Sequence, residues 1–332
     1  MFLDTPPAFL LKMSNMTLKL PIISGEEDFT HHFHSDIWQT VAVIICERHR
    51  LSYKTFRRTS DGENIIFFVD DCLLIKIYLP FRDNYVREVA GLEFADSKTS
   101  IATPHIAATG DIEGWFYVVM TQLSGVPMRD IWREIEEKEQ IEIVTHLGMA
   151  MKELHSFNAP LETPLNRDWH EFIEHQTRTT IERQKAGGAN PEWIASLPDY
   201  LDSIPKFLPS DCKQVMLHGD IHPANVLLKQ KNYRWTISGL FDFGDSLCGF
   251  HEYEFVAPGV LMVQGKRELQ RAMLMAYGYK ETELDSVLRS RLMLLTILYE
   301  CSNLRKYAMR LNPEAVNFTL TELESAIWTF CV

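Results

Sequence analysis

The sequence predicts an α+β fold in which short strands dominate the first third and helices the remainder. Three observations carry this. Between residues 64 and 120, three short apolar runs are bounded by turn residues, as strands of a sheet are. From residue 129 onward, apolar side chains recur at helical spacing over long stretches. Between residues 215 and 241, three further short apolar runs interrupt the helical part, and the loops joining them are rich in Asp, Asn and Gly.

Taken in order, residues 64–69 form a strand, Asp70 and Asp71 a turn, and residues 73–78 a second strand with Lys76 inside it. Residues 84–96 place Val86, Val89, Ala90, Leu92 and Phe94 at helical spacing. Residues 115–120 are a third strand, broken by Thr121, Gln122, Leu123, Ser124 and Gly125. Residues 129–157 carry an apolar stripe through Ile143, Leu147, Met151 and Leu154 and predict one long helix. Its acidic run (Glu134, Glu136, Glu137, Glu139, Glu142) reads as a solvated face. Pro160, Pro164 and the Gly187-Gly188 pair bracket a helix over 168–185. From about residue 266, further amphipathic helices put Leu292, Leu295, Ile297 and Leu298 in the core.

Composition narrows the classes. At 332 residues, 46% of them hydrophobic, the chain has room for two separate cores. No apolar run reaches the length of a membrane span. Phe2-Leu3 and Phe9-Leu10-Leu11 are interrupted and lack a basic start, so no signal peptide and a cytoplasmic location are expected. Six cysteines without C-x-x-C spacing point to thiols in a reducing compartment, not to a disulfide framework or a zinc site. His31, His32 and His34 have no cysteine nearby and read as part of a polar segment. A net charge of −12 disfavours nucleic acid and favours a cationic partner, although acidity also serves solubility alone.

The most specific signal is His218-Gly219-Asp220-Ile221-His222-Pro223-Ala224-Asn225, followed by Phe241-Asp242-Phe243-Gly244. Two unrelated turns would also be rich in Asp, Asn and Gly. Here, however, Asp220 and Asn225 lie between the apolar runs 215–217 and 226–228, and Asp242 ends the run 235–241. Phosphoryl transfer needs those side chains: a carboxylate to take a hydroxyl proton, and a neutral and an anionic oxygen to hold Mg²⁺.

This stretch resembles the catalytic region of the aminoglycoside phosphotransferase and choline kinase-like families, small-molecule relatives of the protein kinases. The overall layout is similar to the hygromycin-type phosphotransferases. The resemblance implies a two-lobed protein kinase-like fold, with an antiparallel-sheet N-lobe over residues 1–122 and a mainly helical C-lobe over 123–332. It implies Asp220 as catalytic base, Asn225 and Asp242 as Mg²⁺ ligands, and His218 as a structural member of the loop. Lys76 matches the strand lysine that contacts nucleotide phosphates. Glu88, in Arg87-Glu88-Val89-Ala90-Gly91-Leu92, matches its helix partner better than Glu93 does. Met120 and Gln122 fall on the connection where the base of ATP or GTP binds. Thr59, Ser60 and Gly62 stand where a phosphate-covering loop would be, in a segment that equally reads as a plain hairpin turn.

The segment 147–155 resembles the family's long C-lobe helix ending in Leu-His, which makes His155 a packing or hydrogen-bonding residue. After Asp242 there is no A-P-E and little room for a peptide platform, which disfavours a protein substrate. Gly249 and Tyr253 match the family's following element, and Glu254 stands where the family has Asp. The expected acceptor is a small cationic molecule bearing hydroxyls, most simply an aminoglycoside, phosphorylated by a monomeric enzyme that confers antibiotic resistance. Asp245, Glu252, Glu254 and Glu300 are the acidic candidates for holding its amines. The alternatives are a choline, ethanolamine or sugar kinase and, in another class, a non-catalytic nucleotide-binding pseudokinase. Choline would need an aromatic cage, to which Trp169, Trp193 and Tyr200 are the candidate contributors.

Overall fold

Alternation along the first strands decides how the amino-terminal part is built. The computed structural model describes residues 18–159, 162–209 and 212–331. The readings made above on residues 2–11 and on Pro160 lie outside them. The chain opens with α1 (Glu26–His32) and α2 (Ile37–Arg48), then β1 (Phe56–Arg58), β2 (Ile65–Val69) and β3 (Leu73–Ile77). It continues through α3 (Asn84–Ala95), β4 (Ile106–Ile112) and β5 (Trp115–Thr121). The strands form one antiparallel sheet in the order β1-β2-β3-β5-β4.

Side chains on a strand alternate between faces. One face, bearing Ile65, Phe67, Val69, Ile75, Ile77, Tyr117 and Val119, is buried in a core with Trp38, Val41 and Ile45 of α2. Trp38 meets Trp115 edge-on at 4.6 Å. The opposite face carries Lys76, Tyr78, Val118 and Met120, and the last three of these join the larger core shared with the rest of the molecule. Lys76 therefore points at the junction and not at α2. α3 lies across that junction: a Cβ on Gly91 would come 2.7 Å from Ser246 Oγ and 3.0 Å from Phe243 Cβ.

The remainder runs through β6 (Val126–Pro127), α4 (Met128–Ile131), α5 (Glu137–Ser156), α6 (Trp169–Ala186), α7 (Pro191–Asp202) and α8 (Ile204–Phe207). Next come β7 (Gln214–Leu217), β8 (Val226–Lys231), β9 (Arg234–Leu240) and β10 (Leu247–Phe250). Helices α9 (Val256–Leu261), α10 (Arg267–Tyr277), α11 (Ser286–Leu298), α12 (Leu304–Leu311) and α13 (Leu320–Ile327) complete the fold. β8 pairs with β6 and β9, while β7 pairs with β10. α11 is the apolar centre of this part, with Leu292 to Leu298 all buried.

Three expectations change. The single helix over 129–157 is instead α4 and α5. The chain bends between them to bury Trp132 and Ile135, and the break is closed by Gln140 Nε2 donating to the Trp132 carbonyl at 2.6 Å. His31, His32 and His34 are exposed, as in a polar segment, but they end α1 and form the turn after it, directly before α2, which is a core element. Between Asp242 and α9, where the sequence leaves little room, the chain still inserts β10 and two short 3-10 turns (Phe243–Asp245 and His251–Phe255). Among the described residues no helix is long and apolar enough to cross a membrane.

α5 and α10 approach so closely at Gly148 that a Cβ there would sit 2.3 Å from the Met273 carbonyl oxygen. Overpacking such a contact forces helices apart at a cost of about 1–3 kcal/mol. Gly148→Ala is therefore expected to lower the urea midpoint with an unchanged slope. An unchanged midpoint would show that the helices have room to spare.

Candidate active site

Lys76 is almost completely buried, and a buried ammonium requires compensating charge. It finds two carboxylates: Glu88 Oε2 of α3 at 2.5 Å and Asp242 Oδ1 at 2.7 Å. Tyr78, two residues on and on the same strand face, donates its hydroxyl to Glu88 Oε2 at 2.6 Å. Burial works to lower the Lys76 pKa, but Asp242 and Glu88 together raise it above the ordinary value. Asp242 is held below the usual carboxylate range: desolvation acts upward, and the Lys76 charge and hydrogen bond overcome it. Glu88 is raised, first by burial and further by the neighbouring Asp242 charge. Glu93 has no part in the cluster, so the choice of Glu88 fits the geometry.

Asp242 sits at φ +68°, a left-handed conformation uncommon outside Gly, Asn and Asp. This turns the chain out of the β9 ladder just beyond the strand end that pairs with β8 and the Asn225 loop. Asp242 and Asn225 are neighbours through the backbone: Phe241 N–H donates to the Asn225 carbonyl at 3.1 Å. Asn225 Nδ2 donates to the Asp220 carbonyl and to Asp220 Oδ2, both at 3.0 Å. With its nitrogen so engaged, the Asn225 amide oxygen is left for another partner. An amide oxygen and a carboxylate on adjacent strand ends are the hard oxygen donors that Mg²⁺ takes alongside phosphate. Among the described residues no three His, Cys, Asp or Glu side chains converge as an all-protein metal cage.

The loop is held in place by its backbone. Gly219 has φ +84°, and a Cβ there would lie 2.3 Å from the Asp245 carbonyl oxygen, so only glycine fits. Glu254, fully buried, accepts from His218 N–H at 2.7 Å and Gly219 N–H at 2.9 Å. Its Oε2 also lies 3.3 Å from His155 Nε2, and His155 Nδ1 lies 3.0 Å from Tyr277 Oη. Burial acts to raise the Glu254 pKa, but the His155 hydrogen bond and charge, with the His218 charge and the Gly219 amide, hold it below the ordinary value. His218 Nε2 contacts the Phe241 carbonyl at 3.1 Å, tying the loop to the residue before Asp242.

Two acidic candidates for the acceptor thus have other work. Glu254 braces the loop, and Glu252 is buried against Arg291, whose Nη2 donates at 2.7 Å, and Tyr279, whose hydroxyl donates at 2.8 Å. Neither can meet an amine entering from solvent. Asp245 and Glu300 remain partly open. Burial, with the nearby Asp220 charge, pushes Asp245 up to about 6. Arg167 lies 3.9 Å from Glu300 and 3.9 Å from Asp83, and Arg87 lies 3.9 Å from Asp245.

Met120 is buried in the larger core, and Gln122 N–H donates to the Cys72 carbonyl, so this connection is anchored to β3. Ser60 is exposed in the β1–β2 hairpin, where Thr59 N–H pairs with the Ile66 carbonyl. The three aromatic candidates for a cage do not converge. Trp193 is fully buried and donates to the Phe318 carbonyl, Tyr200 donates to Glu324, and Trp169 stacks on Phe172.

Sequence reasoning missed three contacts of Asp220 and its surroundings. His222 Nε2 lies 3.1 Å from Asp220 Oδ2 and was visible inside the motif. Tyr299 Oη lies 3.2 Å from Asp220 Oδ1, with nothing in the local pattern to announce it. Tyr78 shares the Lys76 face by strand alternation alone.

Because Glu254 sits below its unfolded value, it contributes stability above the ordinary carboxylate range, and that stability is lost as pH falls through the folded pKa. Glu254→Gln replaces an acceptor with an N–H facing N–H groups and is expected to cost about 2–4 kcal/mol at pH 7. The gap from wild type should narrow below about pH 4.5, measured by urea unfolding across pH. A pH-independent gap would argue against a charged Glu254.

Comparison with known proteins extends the picture. The profile of the phosphotransferase enzyme family (APH) matches residues 57–287, well over half of the chain. The chain has no significant match among curated protein sequences. The GDP complex of wild-type aminoglycoside 2'-phosphotransferase-IIIa superposes with a TM-score of 0.66 at 15% identity, covering 88% of this chain and 98% of that one. A gentamicin–APH(2")-IIa complex gives 0.58 at 16% identity, covering 94% and 100%. A putative fructosamine-3-kinase from Haemophilus somnus gives 0.55 at 18% identity, covering 87% and 97%. At these identities the structures speak to the fold, which is the two-lobed protein kinase-like one, with an antiparallel sheet in one lobe and mainly helices in the other. With its fold matched and the profile spanning Lys76, Glu88, Asp220, Asn225 and Asp242, the chain belongs to the phosphotransferase enzyme family.

Proposed function

We propose that this protein transfers the γ-phosphoryl group of ATP or GTP to a hydroxyl of a small cationic acceptor, most simply an aminoglycoside. The observation that carries the reading is the meeting of Lys76, Glu88 and Asp242 beside the Asp220–Asn225 loop. Nucleotide would lie between a lobe of residues 1–122 and a lobe of residues 123–332, its base against the Met120–Gln122 connection. Ser60 and its hairpin would cover the phosphates. Lys76, kept in place by Glu88, would align them. Mg²⁺ on Asn225 and Asp242 would neutralise charge gathering on the phosphate oxygens.

Asp220 orients the acceptor hydroxyl and takes its proton late, because a carboxylate is too weak a base to remove it before the new P–O bond forms. The cost of leaving out a long peptide-docking segment falls on protein substrates, and a small molecule fits the short passage from Asp242 to α9. Asp245 and Glu300 are the carboxylates with room for an amine. The neighbouring complexes with GDP, gentamicin and kanamycin support both halves of this reading. The dispersed aromatics count against a choline cage.

Asp220→Asn is expected to lower turnover by about 10²–10⁴ while leaving nucleotide affinity intact. Asp242→Ala is expected to abolish Mg²⁺-dependent nucleotide binding in a calorimetric titration; wild-type affinity would remove Asp242 from the metal site. A coupled assay with ATP and GTP over aminoglycosides, choline, sugars and fructosamines tests the acceptor class. Nucleotide binding without transfer to any of them would favour the non-catalytic alternative.

Asp245 adds a pH signature. It is faced by Asn84 and Arg87 of α3, by Asp220 and Asp242, and by Glu300. Since its carboxyl ionises only above about 6, the KM for an amine-bearing acceptor is expected to fall as pH rises through that value. A flat KM between pH 5 and 8 would remove Asp245 from acceptor binding.

A further inference from the structure

Asp220 presents two oxygens to very different surroundings. Oδ2 receives Asn225 Nδ2 at 3.0 Å and faces His222 Nε2 at 3.1 Å. His222 Nδ1 accepts from Ala224 N–H at 3.1 Å, which leaves the Nε2 hydrogen for Asp220. Oδ2 is thus occupied by donors from the loop itself. Oδ1 meets the Tyr299 hydroxyl at 3.2 Å, and that hydroxyl lies 2.9 Å from the Gly219 carbonyl oxygen. A phenol has one proton, so it is shared between the carbonyl preceding Asp220 and the Asp220 carboxylate.

Tyr299 is not part of the catalytic loop. It caps the C-terminus of α11, whose last turns are wholly buried, and is itself only 5% exposed. Its ring packs 5.4 Å from that of Tyr253, whose hydroxyl accepts from Glu300 N–H at 3.0 Å. The hydroxyl is therefore fixed by the helical core. Burial and the adjacent Asp220 charge keep the phenol protonated, so it is a permanent donor.

On the reading that Asp220 is the base, we infer that Tyr299 is a positioning residue that aims Asp220 Oδ1 at the acceptor hydroxyl. Asn225 and His222 hold one edge of the carboxylate and Tyr299 stops rotation of the other. Oδ1, with a single long and shared hydrogen bond, is the oxygen with capacity left to receive a proton. The residue after Tyr299 is Glu300, so the same short segment carries the base's guide and a wall of the acceptor side.

The test uses the full chain with Mg²⁺ and Tyr299→Phe, which removes one oxygen and keeps the ring packing. Hydrolysis of ATP with water as acceptor and transfer to kanamycin are both followed. The expected result is a kcat reduced about ten-fold, the effect of losing one hydrogen bond to a charged group, with the KM for MgATP within about two-fold. In an Asp220→Asn background, Tyr299→Phe should add nothing further. High-resolution structures of both proteins should show the Asp220 carboxylate rotated in the variant. An unchanged kcat with an unmoved carboxylate, or an equal loss in the Asp220→Asn background, overturns the positioning role alone, provided Asp220→Asn is itself impaired. A fully active Asp220→Asn overturns the base reading, and this inference with it.

Discussion

One buried ammonium organises the junction. Lys76 leaves the sheet on the face opposite α2, where it is almost wholly removed from water, so its charge must be matched by protein. The two carboxylates that match it come from α3 and from just past the end of β9, which lie far apart in sequence. Satisfying Lys76 fixes the sheet, α3 and the Asp242 turn relative to one another. The Gly91 contact with Ser246 and the left-handed backbone of Asp242 are local consequences, since both are needed to bring three elements within hydrogen-bond range of one nitrogen.

A second buried charge does the same for the loop. Glu254 gathers the N–H groups of His218 and Gly219, and a carboxylate can accept from both because they lie side by side in a tight turn. The loop's other edge is held by His218 to the Phe241 carbonyl, one residue before Asp242. Asp220 and Asp242 are therefore not independent: a shift in either turn is passed through His218 and Phe241 to the other. Glu in place of the shorter Asp preserves the contact, because the turn's amides still sit at 2.7 and 2.9 Å.

Legibility in the sequence followed the range of the interaction. The β2 and β3 strands, α3 and the break at Gly187 were readable because each is decided by neighbours a few residues away. Lys76 was readable because a charge within an apolar strand must have a use, and Glu88 because Arg87-Glu88-Val89-Ala90-Gly91-Leu92 resembles the family's helix pattern. α2 was missed although Ile37, Val41 and Ile45 recur at helical spacing, because the histidines before it drew the segment toward a polar reading. β4 was illegible for another reason: Ala, Thr and Gly give its alternation little hydrophobic contrast, and Gly110 is there to make room for the Tyr117 phenol. The fates of Glu252 and Glu254 depended on Arg291 and on backbone amides far away in the chain, which no local pattern encodes.

Net charge proved a coarse guide to the cleft. The chain is strongly acidic, but the carboxylates near Asp220 are interleaved with arginines: Arg87 beside Asp83 and Asp245, Arg167 between Asp83 and Glu300, and Arg82 against Glu63. Several of these pairs are long, at 3.9 Å, and their carboxylates are partly exposed, so each is a loose contact and not a committed one. An amine arriving here does not fall into a bare negative field; it competes with an arginine at each carboxylate. A single ammonium gains little from one such exchange. A molecule bearing several amines on one rigid frame makes the exchanges together and loses its translational freedom only once. On the proposed function, selection of polyvalent cations over simple ones follows from that arithmetic, with no carboxylate more acidic than its neighbours required.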